Sequence, residues 1–188
     1  MHLLHQLVLA CGDVSLINFV RLSHGAVASA REALKAGCSI LTDLPAVAAT
    51  LDHPRLAHLW CPIETLIDAP HITRVSEAEQ AFYDHRIWRE RLQQTPKGAV
   101  LVIGYAPSVL LAACQLIEQQ QIEPALVIGM PIGFSHAPAA KRRLSATKVA
   151  HITIQGSFGG GLLASVMLNS LVETLIEKPD CHCYLTRS

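Results

Sequence analysis

Two short apolar runs that end in glycine most constrain what this chain can fold into. Residues 99–104 are Ala-Val-Leu-Val-Ile-Gly, and residues 125–129 are Ala-Leu-Val-Ile-Gly. Continuous apolar runs of this length, rich in β-branched residues, are typical of strands that are buried on both faces of a parallel sheet. Parallel strands need long crossover connections, usually helices, so each run predicts a strand followed by a helix.

Helix and strand signals alternate along the rest of the chain. The sequence predicts helices over residues 25–36, 107–119, 136–146 and 162–176, and further strands over residues 39–42 and 150–154. This order indicates the α/β class: a single doubly wound domain with a mostly parallel sheet and helices on both faces. Ligands of such folds bind at the carboxyl ends of the strands, so we expect function in the turns there. Residues 52–75 contain three X-Pro pairs, and we expect a loop-rich excursion over that range.

Composition limits the domain count and the classes of partner. The chain has 188 residues, of which 51% are hydrophobic, and 15 Lys and Arg balance 15 Asp and Glu. We expect one domain over residues 1–178, a flexible tail over residues 179–188 and no nucleic-acid partner. No apolar run approaches the roughly 20 residues that cross a bilayer, so we expect no membrane partner. The first residues lack a basic signal-peptide region, and the six cysteines are mostly scattered, which favours a cytoplasmic location.

Three local clusters have both a chemical and an ordinary structural interpretation. His53, His58 and Cys61 lie within nine residues, but the neighbouring prolines interrupt helical spacing, so we expect no metal site. The glycine-rich turn at residues 156–161 has backbone amides for a carboxylate or a phosphate, or is simply a tight turn. The basic run at residues 141–143 is either a solvated helix face or a surface that attracts a polycarboxylate.

Several segments match one protein family in the same order along the chain. They are residues 9–12 (Leu-Ala-Cys-Gly), 40–43 (Ile-Leu-Thr-Asp), 72–74 (Ile-Thr-Arg), 104–107 (Gly-Tyr-Ala-Pro), 124–134 (Pro-Ala-Leu-Val-Ile-Gly-Met-Pro-Ile-Gly-Phe), 159–160 (Gly-Gly) and 168–171 (Leu-Asn-Ser-Leu). The run at residues 124–134 is the most specific of them. Together they make the chain resemble the precorrin-8X methylmutases of cobalamin biosynthesis.

The resemblance implies an isomerase that works without a cofactor and is usually a homodimer. It implies a corrinoid substrate, a tetrapyrrole on which a methyl group moves from ring carbon eleven to carbon twelve, giving hydrogenobyrinic acid or its cobalt counterpart. The substrate-binding positions that it implies are Thr73, Arg74, Gly104, Ala106, Pro107, Gly133, Gly159 and Gly160. The Thr73 hydroxyl and the Arg74 guanidinium suit a pyrrole nitrogen or a propionate.

The family's proton donor has no counterpart at its usual position. In the family a histidine is thought to protonate the macrocycle, and this chain has Leu9 there. An alkyl side chain transfers no proton. If residues 3–10 are helical, His5 lies one turn before Leu9 on the same face, so we take His5 as the candidate catalytic acid. His24 and His136, both in turns, are the other candidates.

Two functions therefore stay open from the sequence. The chain is either an active methylmutase whose proton comes from another histidine, or a non-catalytic tetrapyrrole-binding relative that keeps the pocket and the dimer. A nucleotide-binding α/β protein is a third class, but no phosphate-binding spacing supports it.

Overall fold

The computed structural model describes residues 2–67 and 85–176. Within these ranges the α-helices are α1 (His2–Cys11), α2 (Ala26–Lys35), α3 (Pro45–Ala48), α4 (His53–His58), α5 (His85–Gln93), α6 (Pro107–Glu118), α7 (Ala137–Ala146) and α8 (Gly161–Glu173), with a 3-10 helix at Val14–Phe19. The strands are β1 (Val20–Leu22), β2 (Ile40–Thr42), β3 (Ile63–Thr65), β4 (Val100–Ile103), β5 (Leu126–Gly129) and β6 (His151–Ile154). The expected tail at residues 179–188 lies outside the described residues.

The six strands form one sheet in the order β1-β6-β5-β4-β2-β3. All neighbouring pairs are parallel except β1 and β6, which are antiparallel. The prediction of an α/β domain with a mostly parallel sheet is confirmed. We call the edge at which β4, β5 and β6 end the carboxyl edge. Because β1 runs the other way, its last residue lies at the opposite edge, beside the start of β6.

Burial on both faces explains why the strands are continuously apolar. Val100 and Val102 of β4 pack into a cluster with residues of α8, such as Met167. Their neighbours Leu101 and Ile103 pack into a second cluster with residues of α5, α6 and α7. Successive strand residues point to opposite faces, so helices on both sides leave no polar face along β4.

The helices and strands that the sequence predicts all occur, with ends shifted by a few residues. The expected loop-rich excursion is wrong for residues 52–67, the described part of that range. Within its described part, α4 begins at His53 with Pro54 in its first turn, where a proline costs no hydrogen bond. The Asp52 carboxylate accepts a hydrogen bond from the Arg55 N–H and caps this helix. Strand β3 follows and pairs with β2 at the end of the sheet.

Helix α1 runs along α8 from the opposite edge toward the carboxyl edge. Near its start, His2 Nε2 lies 3.1 Å from Glu173 Oε2, at the last residue of α8. Beyond its end the chain reaches Phe19, whose carbonyl accepts a hydrogen bond of 2.8 Å from the N–H of Gln155, just after β6. Leu9 is therefore about 6 Å nearer to the carboxyl edge than His5 is.

None of the helices in residues 2–67 and 85–176 combines the length and the apolar character needed to span a membrane.

Candidate functional site

A buried carboxylate organises the carboxyl edge. Asp43 directly follows β2 and is fully buried. Its Oδ2 accepts hydrogen bonds from the N–H groups of Gly104, Tyr105 and Ala106, at 3.1, 2.7 and 2.8 Å, and its Oδ1 accepts one from Leu44 at 3.0 Å. Burial raises the pKa of the Asp43 carboxyl above its ordinary value, and the four N–H donors act against this. The carboxylate thus fixes the turn between β4 and α6.

The glycines of this edge allow backbone to pack on backbone. A Cβ on Gly104 would lie 2.4 Å from the Cα of Gly161, at the start of α8. A Cβ on Gly159 would lie 2.2 Å from the carbonyl oxygen of Met130, and the φ of Gly159 is +152°. Side chains at these positions would push the turns after β4, β5 and β6 apart.

Hydrogen bonds join the turn after β5 to the turn after β6. The Gly133 N–H donates to the Ser157 carbonyl at 3.1 Å, and the Gly160 N–H donates to the Met130 carbonyl at 2.7 Å. The two turns therefore form one continuous backbone surface beside the Asp43-bound turn.

Large apolar side chains project from the same edge. In residues 2–67 and 85–176, those exposed around the three turns are Phe19, Tyr105, Ile132, Phe134, Phe158 and Leu162. Phe134 is 92% exposed, and the Phe19 and Phe158 rings are 6.0 Å apart. Exposed apolar patches of this kind mark binding surfaces for large apolar ligands or for other proteins.

A buried lysine holds the turn after β6 from the other side. Lys141 of α7 is 2% exposed, and its Nζ donates a 2.5 Å hydrogen bond to the Phe158 carbonyl. Desolvation lowers the pKa of Lys141 to about 8, because the charged ammonium is disfavoured where water is excluded.

The structure separates the three residues of the basic run. Arg143 turns away and makes two hydrogen bonds to the Glu118 carboxylate, at 2.9 and 2.6 Å. Lys141 and Arg142 line a cleft of about 580 Å³ between α7 and the residues after β6. The other lining residues are Pro138, Ser145, Ala146, Gln155 and Gly156.

The substrate-binding positions implied by the sequence fall into two groups. Gly104, Gly133, Gly159 and Gly160 come together in the adjoining turns of the carboxyl edge, while Pro107 begins α6. Ala106 is buried there, with its N–H bound to Asp43. Thr73 and Arg74 lie outside the described residues, so their role stays a prediction.

The candidate proton donors occupy different places relative to this edge. His5 is exposed on α1, one turn farther from the edge than the exposed Leu9. His136 is exposed and directly precedes α7, in the connection that leaves the carboxyl end of β5. His24 follows β1, and its neighbour Ser23 bonds to His151 at the start of β6, so His24 lies at the opposite edge. Because β1 is antiparallel to β6, His24 is the candidate that does not lie at the carboxyl edge, and its role as a proton donor stays a prediction.

In the described ranges, no three His, Cys, Asp or Glu residues are grouped so that they could hold a metal ion. His53 and Cys61 both line a shallow cleft beside α4, but His53 Nε2 is 2.8 Å from the Ala48 carbonyl oxygen, and the Cys61 thiol bonds to the Leu34 carbonyl. The Cys181-His182-Cys183 cluster lies outside the described residues.

Sequence reasoning did not identify the roles of Asp43 and Lys141. An acidic residue directly after a buried strand was the available signal for Asp43. No pattern distinguishes Lys141 from the two arginines that follow it, because only the packing of α7 shows which of the three is buried.

The fold and the edge define an α/β protein with a glycine-rich, apolar binding surface at the carboxyl ends of its strands. A family model described as precorrin-8X methylmutase matches residues 1–174. The chain is 34% identical over 172 residues to a precorrin-8X methylmutase of Pseudomonas aeruginosa, covering 88% of this chain and 80% of that one. It is 28% identical over 182 residues to a cobalt-precorrin-8 methylmutase of Leptospira interrogans, covering 89% and 79%.

A solved structure agrees with these sequence matches. The crystal structure of a precorrin-8X methylmutase from Thermus thermophilus superposes with a TM-score of 0.79 at 29% identity, covering 93% of this chain and 84% of that chain. This chain belongs to the precorrin-8X methylmutase family.

Proposed function

We propose that this chain acts as a precorrin-8X methylmutase in cobalamin biosynthesis and holds its corrinoid substrate against the carboxyl edge. The observation that carries the proposal is the joining of the Gly104, Gly133 and Gly159 turns into one surface, in a chain that matches the family model over residues 1–174. Of the two functions left open by the sequence, the comparisons support the methylmutase, and none favours the non-catalytic relative.

The shape and polarity of the edge suit a flat macrocycle. Glycine backbone lets a ring system approach closely, and the exposed Tyr105, Ile132 and Phe158 offer apolar contact to its faces. The proposed reaction breaks the bond between the methyl group and ring carbon eleven and forms a bond to ring carbon twelve. No atom leaves the molecule, so the protein has to bind, orient and exchange a proton with the ring.

The proton donor has to be a group other than Leu9. We propose His5 or His136 for this role, and the position of His136 at the carboxyl edge favours it over His5. His5→Gln and His136→Gln variants separate the two, since the variant that lacks the acid loses turnover but keeps binding. His24→Gln is the matched control, because His24 lies at the opposite edge.

The test of the function is an absorption titration of the purified chain with the methylmutase substrate and, separately, with hydrogenobyrinic acid. We expect a time-dependent conversion of the substrate spectrum into the product spectrum. An immediate spectral shift without conversion would identify a binding protein that does not turn over. An unchanged spectrum with both ligands would reject the carboxyl edge as a corrinoid site.

Restoring the family histidine gives a second test. Leu9 is 64% exposed, so Leu9→His should change the free energy of unfolding by less than about 0.5 kcal/mol. We expect it to raise the turnover number by about tenfold or more, because a positioned general acid contributes on the order of 10²–10⁴-fold. Leu9→Gln, which is polar but transfers no proton, is the control. Equal turnover numbers in Leu9→His and Leu9→Gln would contradict the view that an acid at position 9 can protonate the substrate.

Three further properties belong to this proposal. We propose a homodimer that forms through the apolar carboxyl edge, and a cytoplasmic location. The described cysteines, Cys11, Cys38, Cys61 and Cys114, are free thiols, which supports a reducing compartment. We also propose that residues 1–178 are the functional unit and that residues 179–188 are a tail.

A further inference from the structure

The cleft between α7 and the residues after β6 carries two positive charges without a carboxylate partner. In the described part of the chain, neither Lys141 nor Arg142 is within ion-pairing distance of an acidic side chain. By contrast, Arg143 on the same helix is fully engaged by Glu118. Among the three basic residues of α7, the two without a carboxylate partner are thus the two that line the cleft.

Because Lys141 is buried, its lack of a carboxylate partner indicates which kind of ligand the cleft binds. Burying an ammonium costs free energy unless an opposite charge or several hydrogen bonds compensate. Within the described residues, one acceptor, the Phe158 carbonyl, serves the three N–H donors of Lys141. A buried cation with donors to spare that lines an open cleft points to an anionic ligand.

The other lining groups have the chemistry of a carboxylate site. Arg142 is exposed at the rim, where its planar guanidinium can bind both oxygens of a carboxylate. Ser145 adds a hydroxyl and Gln155 adds an amide. Among the described residues that line the cleft, none is acidic, so none of them opposes an anion.

The cleft is also within reach of the proposed macrocycle site. Gly156 lines the cleft, and Gly159 packs against Met130 in the turn after β5. Three residues of chain span at most about 11 Å, so one loop forms a wall of both sites. Its Phe158 contributes a carbonyl to Lys141 on one side and an exposed ring at the carboxyl edge on the other.

We propose that the Lys141–Arg142 cleft binds a carboxylate side arm of the corrinoid while the ring lies on the carboxyl edge. This inference rests on the proposed function and adds to it a substrate-specificity site. Lys141 binds the arm through its charge, and Arg142 closes on the arm from the rim. The cleft thereby selects macrocycles that carry a free carboxylate at this position over those in which it is amidated or esterified.

The test compares hydrogenobyrinic acid with its methyl ester, in which every carboxyl group is esterified and therefore uncharged. Dissociation constants are measured by titration for the wild-type chain and for Lys141→Met, Arg142→Met and Arg143→Met. We expect Lys141→Met to weaken binding of the acid by roughly 10- to 100-fold, and Arg142→Met by at least about threefold. The ester should bind equally to the wild-type chain and to Lys141→Met. Arg143→Met removes the same charge from the same helix outside the cleft and should leave both affinities unchanged.

Each of the other possible results contradicts a different part of the proposal. Unchanged acid binding in both Lys141→Met and Arg142→Met rejects the cleft as a carboxylate site. An equal loss of acid and ester affinity in Lys141→Met means that Lys141 acts only through the position of Phe158. If inorganic phosphate binds the wild-type chain as tightly as the acid does, and depends equally on Lys141, the cleft is a site for free anions. Failure of the wild-type chain to bind either macrocycle rejects the proposed function itself.

Discussion

At the scale of single residues, Asp43 shows how one carboxylate can determine the geometry of a binding edge. Three consecutive N–H groups at residues 104–106 converge on one of its oxygens. Such concave sets of backbone amides are ordinary anion sites, and here the anion belongs to the protein. The amides of this turn are therefore occupied, so a ligand at the edge meets the outer surface of the turn.

The role of Asp43 is tested by Asp43→Asn. The amide has one acceptor oxygen, so either the N–H of Leu44 or the N–H groups of the turn lose their acceptor. We expect the free energy of unfolding in urea to fall by about 1–3 kcal/mol, which is the cost of leaving a buried donor unsatisfied. Asp13→Asn is the control, since Asp13 is an exposed cap bound to Ser15, where asparagine caps equally well. Equal losses in both variants would contradict the organising role of Asp43.

Lys141 should make the stability of the protein depend on pH in a recognisable direction. Its folded pKa of about 8 lies below the ordinary value of 10.5, so protonation favours the unfolded chain. The cost of this charge is absent above about pH 10.5, grows as the pH falls toward 8, and is fully present below 8. Lys141→Met removes that cost.

The measurement is urea unfolding of the wild-type chain and of Lys141→Met at pH 7.5 and at pH 10. The stability of the variant relative to the wild-type chain should be greater at pH 7.5 than at pH 10. Comparing the two proteins at each pH cancels every other titrating group. If the difference in unfolding free energy between the two proteins does not change with pH, the Lys141 ammonium has no desolvation cost in the folded state.

At the scale of secondary structure elements, the sequence predicted the interior strands better than the outer ones. Strands β4 and β5 are buried on both faces, so their apolar runs are visible without any knowledge of their partners. Strand β1 has only Val20 buried, and β3 has no buried residue, so neither has the continuous apolar run of an interior strand. Their places at the two ends of the sheet depend on pairing with distant segments.

The same distinction applies to the candidate site. Gly104, Gly133 and Gly159 could be found because each follows a predicted strand. Asp43 reaches residues 104–106 because β2 lies beside β4 in the sheet. This neighbourhood is set by the order of the strands. His24 lies at the opposite edge because β1 is antiparallel to β6. Local sequence patterns carry no information about strand order or strand direction.

The contact between Gly104 and α8 gives a prediction for the turn as a unit. The Cβ in Gly104→Ala would meet backbone atoms of Gly161 at 2.4 and 2.8 Å, and backbone cannot rotate away. We expect a loss of about 1–3 kcal/mol in the free energy of unfolding, together with weaker binding of hydrogenobyrinic acid, because α8 and the turn move apart.

Gly98→Ala is the matched control for this variant. Gly98 has a φ of +80° with no atom near its Cβ position, and it precedes β4 at the opposite edge. Its replacement costs stability through backbone strain, on the order of 1–2 kcal/mol, without touching the site. Equal affinity for hydrogenobyrinic acid in the two variants would contradict a binding role for the Gly104 turn.

At the scale of the whole molecule, apolar exposure is unevenly distributed. The formal net charge is zero, so net charge does not drive association. Phe134 and Ile132 project from the turn after β5, with Phe158 and Leu162 beside them at the same edge. An edge of this kind is expected to be covered by the corrinoid, by a second copy of the chain, or by both.

The proposed dimer is tested by placing a charge on this edge. Phe134 is 92% exposed, so Phe134→Glu should fold normally, while burying the new carboxylate between two copies would be costly. We expect sedimentation velocity to give a dimer for the wild-type chain and a monomer for Phe134→Glu at micromolar concentration. Trp60→Glu is the control, because Trp60 is also an exposed aromatic, at 85%, but lies beside Gly37 at the amino ends of β2 and β3.

The two variants together locate the interface. If Trp60→Glu dissociates the dimer and Phe134→Glu does not, the copies meet at the opposite edge, and each carboxyl edge is left free for its ligand. If only Phe134→Glu dissociates it, the second copy covers the corrinoid site. In that arrangement, loss of the dimer should weaken binding of hydrogenobyrinic acid in parallel, because the ring would lose the apolar wall that the partner supplies.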